Sequence, residues 1–294
     1  MIYHVSHTSR VTYGAPVDLA RFAIRLKPAA WPGQALRDYR MVVSPQPARL
    51  TEGFGPFHVN STLVSFDAPL EELVVTSEFR MEVWPLAIPE DDGTTLAQVR
   101  AAALQVGELG DFAPAQFLFG SRIVVIEPEI CAWAAPMLAD DQSGILGAIK
   151  ALCAEIYRSF AYTPGVTASD TPPVDAFRAR HGVCQDFAHV MIAALRAYGI
   201  PAAYVSGYLR TEPPPGQPRL VGADAMHAWV DVWCGPSIGW VAIDPTNDRP
   251  AGEDYVTIGM GRDYADVAPV DGVFVGSPAH EMTTAVDVIP EGEV

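Results

Sequence analysis

The stretch that most constrains this chain runs from Asp224 to Trp233 and on through Trp240 to Asp244, because it reads as two strands joined by a turn and leaves few registers open. Strict alternation puts His227, Trp229, Asp231 and Trp233 on one face and Ala228, Val230 and Val232 on the other. Pro245 stops the second strand at Asp244, and Cys234-Gly235-Pro236-Ser237-Ile238-Gly239 supplies the turn. A two-residue loop, Gly235-Pro236, sets His227 opposite Asp244; a four-residue loop, Gly235 to Ile238, sets Trp229 there instead. The two registers differ by two residues, so His227 and Asp244 share a face in both, whereas a three-residue loop would separate them. Neighbours of that kind can share a hydrogen bond that orients the imidazole as a base.

A base of this sort needs a partner, and the chain offers one upstream. In His181-Gly182-Val183-Cys184-Gln185-Asp186-Phe187-Ala188-His189 a glycine-bearing turn leads into a helical pattern: Phe187, Met191, Leu195 and Tyr198 fall at helical spacing, and Gly199 with Pro201 supplies the stop. Cys184 thus falls at the first helical turn, where free backbone N–H groups and the helix dipole favour a thiolate. Taken alone, a cysteine is more often a small packed apolar residue than a nucleophile. The helix start, the histidine and the carboxylate together point to nucleophilic chemistry.

The remaining chain bounds this reading. With 294 residues, two units or one unit with a large appendage are expected, and a net charge of −16 (19 basic, 35 acidic) disfavours nucleic acid and anionic membranes. Cys131, Cys153, Cys184 and Cys234 are scattered without CxxC pairs, so reduced thiols in a cytoplasmic compartment are expected. The first residues lack the basic segment and apolar run of a signal peptide, and no apolar run is long enough to span a membrane. His181, Cys184, Asp186 and His189 do not have the spacing of a zinc motif, and no acidic loop has calcium-binding spacing; no metal or cofactor is expected.

Residues 1–88 read as short strands with proline and glycine turns, which predicts an amino-terminal β-sandwich. Strands are expected at Ile2 to Val5, Phe22 to Leu26, His58 to Phe66 and Leu73 to Trp84, with a turn at Tyr13-Gly14-Ala15-Pro16. His4 and His7 read as strand-surface or packing residues. Residues 89–294 are expected to form a second unit, opening with helical segments at about 94–160, near Thr95 to Gln105, Pro128 to Met137 and Gly144 to Tyr157. The last carries the stripe Ile145, Ile149, Leu152 and Ile156, with Ser143 placed to cap it. A short strand and turn are expected at Phe160 to Thr167, a short helix at Val174 to Arg180, a strand at Pro201 to Leu209 and a surface loop at Thr211 to Pro218.

The order Gly-Val-Cys-Gln-Asp-Phe-Ala, Ser-Gly-Tyr, His-Ala-Trp-Val, Trp-Val-Ala-Ile-Asp-Pro-Thr resembles the transglutaminase-like superfamily, and Gly261 to Pro269 resembles the segment that follows the aspartate in bacterial members. The strand-rich first part is similar to the amino-terminal region those members carry. The resemblance implies an α+β fold in which a β-sandwich precedes a papain-like core, the cysteine at a helix start packed on an antiparallel sheet. It carries over Cys184 as nucleophile, His227 as general base and acid, and Asp244 as orienting carboxylate. The implied chemistry is acyl transfer on peptide or side-chain amides of a peptide or protein substrate, hydrolysis being expected over cross-linking; a catalytically silent protein-binding module is the alternative. The backbone N–H of Cys184 is one oxyanion donor, and Gln185, Tyr162 and Trp229 are candidates for a second.

Overall fold

The computed structural model describes residues 1–292 apart from 88, 106, 108–109, 212–221, 223 and 277. All but the first residue of the loop expected from Thr211 to Pro218 therefore lies outside the described residues. In chain order the elements are β1 (Ile2–Ile24), β2 (Gln34–Ser44), β3 (Arg49–Phe54), β4 (Asn60–Ser65), β5 (Leu70–Val83), α1 (Leu96–Ala103), α2 (Pro128–Leu138), α3 (Ile145–Ser159), β6 (Ala161–Tyr162), α4 (Pro173–Ala179), β7 (His181–Gly182), α5 (Cys184–Ala197), β8 (Ala202–Leu209), β9 (Met226–Trp233), β10 (Trp240–Asp244), β11 (Arg249–Pro250), β12 (Tyr255–Gly261), α6 (Tyr264–Val267), β13 (Val270–Val275) and β14 (His280–Pro290). A short 3-10 helix, Pro114–Phe117, precedes α2.

The first sheet turns on β1. Its opening residues, Ile2 to Thr12, lie between β5 and β14, and its last ones, Arg21 to Ile24, between β4 and β13. The segment Tyr13-Gly14-Ala15-Pro16, expected as a turn between strands, is instead a bend within this strand, with pairing to β5 interrupted between Thr12 and Val17. The strand runs through because its inward positions, Val11, Tyr13, Val17, Ala20, Phe22 and Ile24, stay buried across the bend. One sheet is thereby folded over its own core of Val64, Phe66, Leu70, Leu73 and Val75, a half-barrel in place of two separate sandwich sheets. β13 and β14 complete it, so residues 270–290, expected to lie in the unit beginning at residue 89, share the sheet of the first 88 residues.

The second sheet, in the order β11-β10-β9-β8-β12, is antiparallel throughout. One face carries α5, against which Ala228, Val230 and Val232 pack. Beyond the start of α5 the same face meets the half-barrel through Tyr208 and Val256, which pack with Tyr3, Phe79, Val286 and Val288. From Asp186 to Arg196 every residue of α5 is buried, so the expected one-sided helix is enclosed all round. Three polar residues, Asp186, His189 and Arg196, survive there because each is hydrogen-bonded. The Arg196 guanidinium donates to the carbonyls of Phe119, Ala202 and Arg262, and burial lowers its pKa to about 9. His189 Nε2 accepts the Tyr264 N–H at 3.2 Å, and burial lowers its pKa to about 4, with Arg196 adding to the effect and Asp263 opposing it. The stripe on α3 is buried as expected, but its cap is Gly144; the Ser143 hydroxyl donates to Asp140 instead.

No helix among the described residues is long and apolar enough to cross a membrane.

Candidate active site

The position of Cys184 is set by the residues just before and after it. β7 pairs in parallel with β6, and Gly182 passes so close to Asp186 that a Cβ there would lie 2.6 Å from the Asp186 Oδ2. That same oxygen accepts the Val183 N–H at 2.8 Å and the Thr167 hydroxyl at 2.7 Å. The carboxylate thus ties the turn to the helix start, satisfying a backbone donor outside the helix ladder. Cys184 becomes the first residue of α5, half-buried and with its thiol free.

The hairpin adopts the four-residue loop. Trp240 pairs with Trp233, Val241 with Val232, Ala242 with Asp231 and Ile243 with Val230, which carries Asp244 to the level of Trp229, diagonal to His227. The Cys234 N–H closes the loop on the Gly239 carbonyl at 2.8 Å. From the diagonal position His227 Nε2 donates to the Asp244 Oδ2 at 2.7 Å. Asp244 is fully buried, and its Oδ2 also accepts from Asn247 at 2.6 Å and from the Tyr255 hydroxyl at 2.7 Å, while Oδ1 accepts the Thr246 N–H at 2.8 Å. Tyr255 in turn accepts from Arg249 Nε at 3.0 Å.

These bonds determine the charges. Burial by itself would push the Asp244 carboxyl up, but the hydrogen bonds from His227, Asn247 and Tyr255 outweigh it and hold the group below the usual carboxylate range. His227 shows the same contest: burial works against its protonation, and the hydrogen bonds to Asp244 and Cys184 prevail, raising its pKa to about 9. With Nε2 committed to Asp244, Nδ1 is the nitrogen left for the thiol.

A cavity of about 310 Å³ opens beside Cys184 and His227, lined also by Gln185, Tyr204, Ser206 and Asp224. Its far wall comes from the half-barrel, through His7 of β1 and Met282 and Thr284 of β14. His7 is fully buried, with Nδ1 bonded to the Tyr208 hydroxyl and Nε2 to Ser9 Oγ, both at 2.8 Å, and burial lowers its pKa to about 4. Local sequence carried no sign that His7 or β14 would meet Cys184; their pairing spans almost the whole chain.

The candidate oxyanion donors separate in space. Gln185 lines the cavity, yet its side-chain amide donates to the Ser169 carbonyl at 2.9 Å. Tyr162 is 55% exposed, edge-on to Phe187, and its phenol is pushed up by burial and by the neighbouring Cys184. Trp229 does not line the cavity; it is buried with Phe57, Phe117 and Val205 and meets the Tyr255 ring edge-on at 5.2 Å. Among the described residues no group of three His, Cys, Asp or Glu side chains could hold a metal ion.

Known proteins match along the chain. Residues 132–245, which contain Cys184, His227 and Asp244, match the family model of the transglutaminase-like superfamily, and residues 3–82 match that of the bacterial transglutaminase-like N-terminal region. The chain belongs to the transglutaminase-like superfamily. Proteins similar to this chain include an uncharacterized protein of Mycobacterium tuberculosis, 33% identical over 296 residues, with 99% of this chain and 94% of the relative covered. A protein-glutamine gamma-glutamyltransferase of Pseudomonas aeruginosa is 42% identical over 93 residues, covering 31% of this chain and 14% of that protein. A crystal structure from Cytophaga hutchinsonii has the superfamily fold over the full length, at a TM-score of 0.73 and 22% identity, covering 99% of this chain and 91% of the other.

Proposed function

We infer that the protein is a thiol acyl-transfer enzyme in which Cys184, His227 and Asp244 act as nucleophile, general base and acid, and orienting carboxylate. The observation that carries this reading is the 2.7 Å bond from His227 Nε2 to a buried Asp244, at a helix start that presents a free cysteine. Raised to about 9, the imidazole is set to hold a proton taken from the thiol. The Cys184 proton passes to His227 Nδ1, and the thiolate attacks an amide carbonyl. The oxyanion is met by the Cys184 backbone N–H, free at the first helical turn, and by the Tyr162 hydroxyl beside it. His227 then protonates the departing amine or ammonia, leaving a thioester on the sulfur. Water, deprotonated by the same imidazole, releases the acid and restores the thiol.

Hydrolysis is favoured over cross-linking because Cys184 is half-buried beside an exposed Tyr162 and at a cavity whose wall carries Gln185 and Ser206, so water reaches the thioester. A cavity of about 310 Å³ suits one side chain or chain end of a peptide or protein substrate. Cross-linking is the second reading, favoured by the partial match to a protein-glutamine gamma-glutamyltransferase. None of the four cysteines is in a disulfide, which fits a reducing cytoplasmic setting.

The test is to incubate a glutamine-rich protein with and without a primary amine, following ammonia, peptide fragments and amine incorporation, with Cys184→Ala as control. Ammonia or fragments without amine incorporation support hydrolysis; incorporation supports cross-linking. No product by any route, together with equal iodoacetamide rates at Cys184 and Cys131, overturns the enzyme reading in favour of a protein-binding module.

A further inference from the structure

On the face of the second sheet turned away from α5, Asp231 occupies a position that the chemistry at Cys184 does not use. It is 4% exposed, and among the described residues its carboxyl has no hydrogen-bond donor and no cation. It lines a cavity of about 740 Å³ that lies between β10 and α3 and shares no residue with the cavity at Cys184. The walls are Trp31, Phe112, Trp240 and Ile149, with Lys150 exposed at one side. The rings are held in place: Trp31 and Phe112 lie 5.6 Å apart, and the Trp240 indole N–H donates to the Phe112 carbonyl at 3.1 Å.

We propose that this cavity is a second ligand site, selective for a small amine with an apolar or aromatic body, whose ammonium pairs with Asp231 between the faces of Trp31 and Trp240. A lone carboxylate in an apolar enclosure is costly, and a cation arriving with the ligand supplies the missing partner. Indole faces favour the same charge through their quadrupoles, and a volume of this size holds a drug-sized molecule. Burial raises the Asp231 pKa to about 7, so in the empty site acid neutralises the group that attracts the ammonium. The other ionisable groups nearby are Lys150, Cys234 and His58, the last bonded to the Ala30 carbonyl and 3.6 Å from Asp111.

The full chain is titrated calorimetrically with 2-phenylethylamine and with 2-phenylethanol as its neutral counterpart. The amine should bind at pH 8, at least about tenfold more weakly at pH 5.5, and at least about tenfold more weakly to Asp231→Asn, as expected for loss of a charge-assisted hydrogen bond. The alcohol should bind weakly to all forms. Cys184→Ala should bind the amine as the unaltered chain does, which separates this site from any amine site at the thiol and keeps the result independent of the enzyme reading. Ile149→Trp, which fills the cavity and leaves the carboxyl in place, should also abolish binding. Equal binding of amine and alcohol, or undiminished binding to a folded Asp231→Asn, overturns the proposal.

Discussion

Replacing Asp244 by asparagine tests the core of the reasoning, because it keeps the shape of the side chain and removes its charge. In the native site the Asp244 carboxylate and Cys184 together raise His227 from its ordinary 6.5 to about 9, against the effect of burial. Without the carboxylate that support is cut and the imidazole falls back toward its ordinary value. At 1.36 kcal/mol for each tenfold, a fall of about one to two pKa units withdraws roughly 1–3 kcal/mol from the thiolate–imidazolium pair, a factor of about 10–100. The asparagine amide also meets a ring of donors, since Asn247, Tyr255 and His227 all point at one oxygen and the Thr246 N–H at the other. Wherever the new NH₂ is placed it faces a donor, costing on the order of 1–3 kcal/mol of stability. The assay is iodoacetamide alkylation at pH 7, read at each cysteine by mass spectrometry, with Cys131 as internal reference and circular dichroism as the check on folding. Cys184 should be the fastest site in the native protein and slow by about 10–100-fold in Asp244→Asn, with Cys131 unchanged. A folded Asp244→Asn that alkylates at the native rate refutes the claim that the carboxylate controls the thiol through His227.

Tyr255→Phe removes one of the three bonds to Asp244 Oδ2 and the link to Arg249, and should lower Cys184 alkylation by about tenfold while the protein stays folded. Gly182→Ala forces a methyl into the Asp186 carboxylate and should lower the melting temperature by about 2–8 °C, measured calorimetrically. Burial holds His7 and His189 near 4 in the folded state, so each adds stability that is fully present above its unfolded value of 6.5 and is lost as pH falls toward 4. The unfolding free energy from urea titrations should fall by up to roughly 3 kcal/mol per histidine across that window, and the pH slope should flatten in a His7→Gln, His189→Gln double variant.

Local periodicity made much of the site legible. Strict alternation around His227 and a proline after Asp244 left two registers that both placed the pair on one face, and the chain adopts the one with the longer loop. What escaped was set by distant contacts. Tyr13-Gly14-Ala15-Pro16 carries every local mark of a turn, yet the pairing before and after it carries β1 through as one bent strand. β2, β3, β13 and β14 were not legible as separate strands, nor was the buried setting of His7, whose surroundings come from Tyr208 and β14. The helix after Cys184 carries polar residues that suggest a solvent face. His189 and Arg196 are nevertheless buried: backbone carbonyls remote in sequence take the Arg196 guanidinium, and His189 Nε2 takes the Tyr264 N–H.

The pairing of β1 with β14 also bears on how the molecule is made. Tyr3 leaves the ribosome long before its partner Pro290, which follows only after the intervening chain, on the order of 15–60 s later at roughly 5–20 residues per second. Through that interval one edge of β1 lacks its partner strand, a condition that invites pairing with other chains. The strand that ends the wait also brings Met282 and Thr284 to the far wall of the cavity at Cys184. A nascent chain can therefore carry its helix, hairpin and thiol well before it has a walled cavity, and protection of the edge and completion of the site arrive in one docking step.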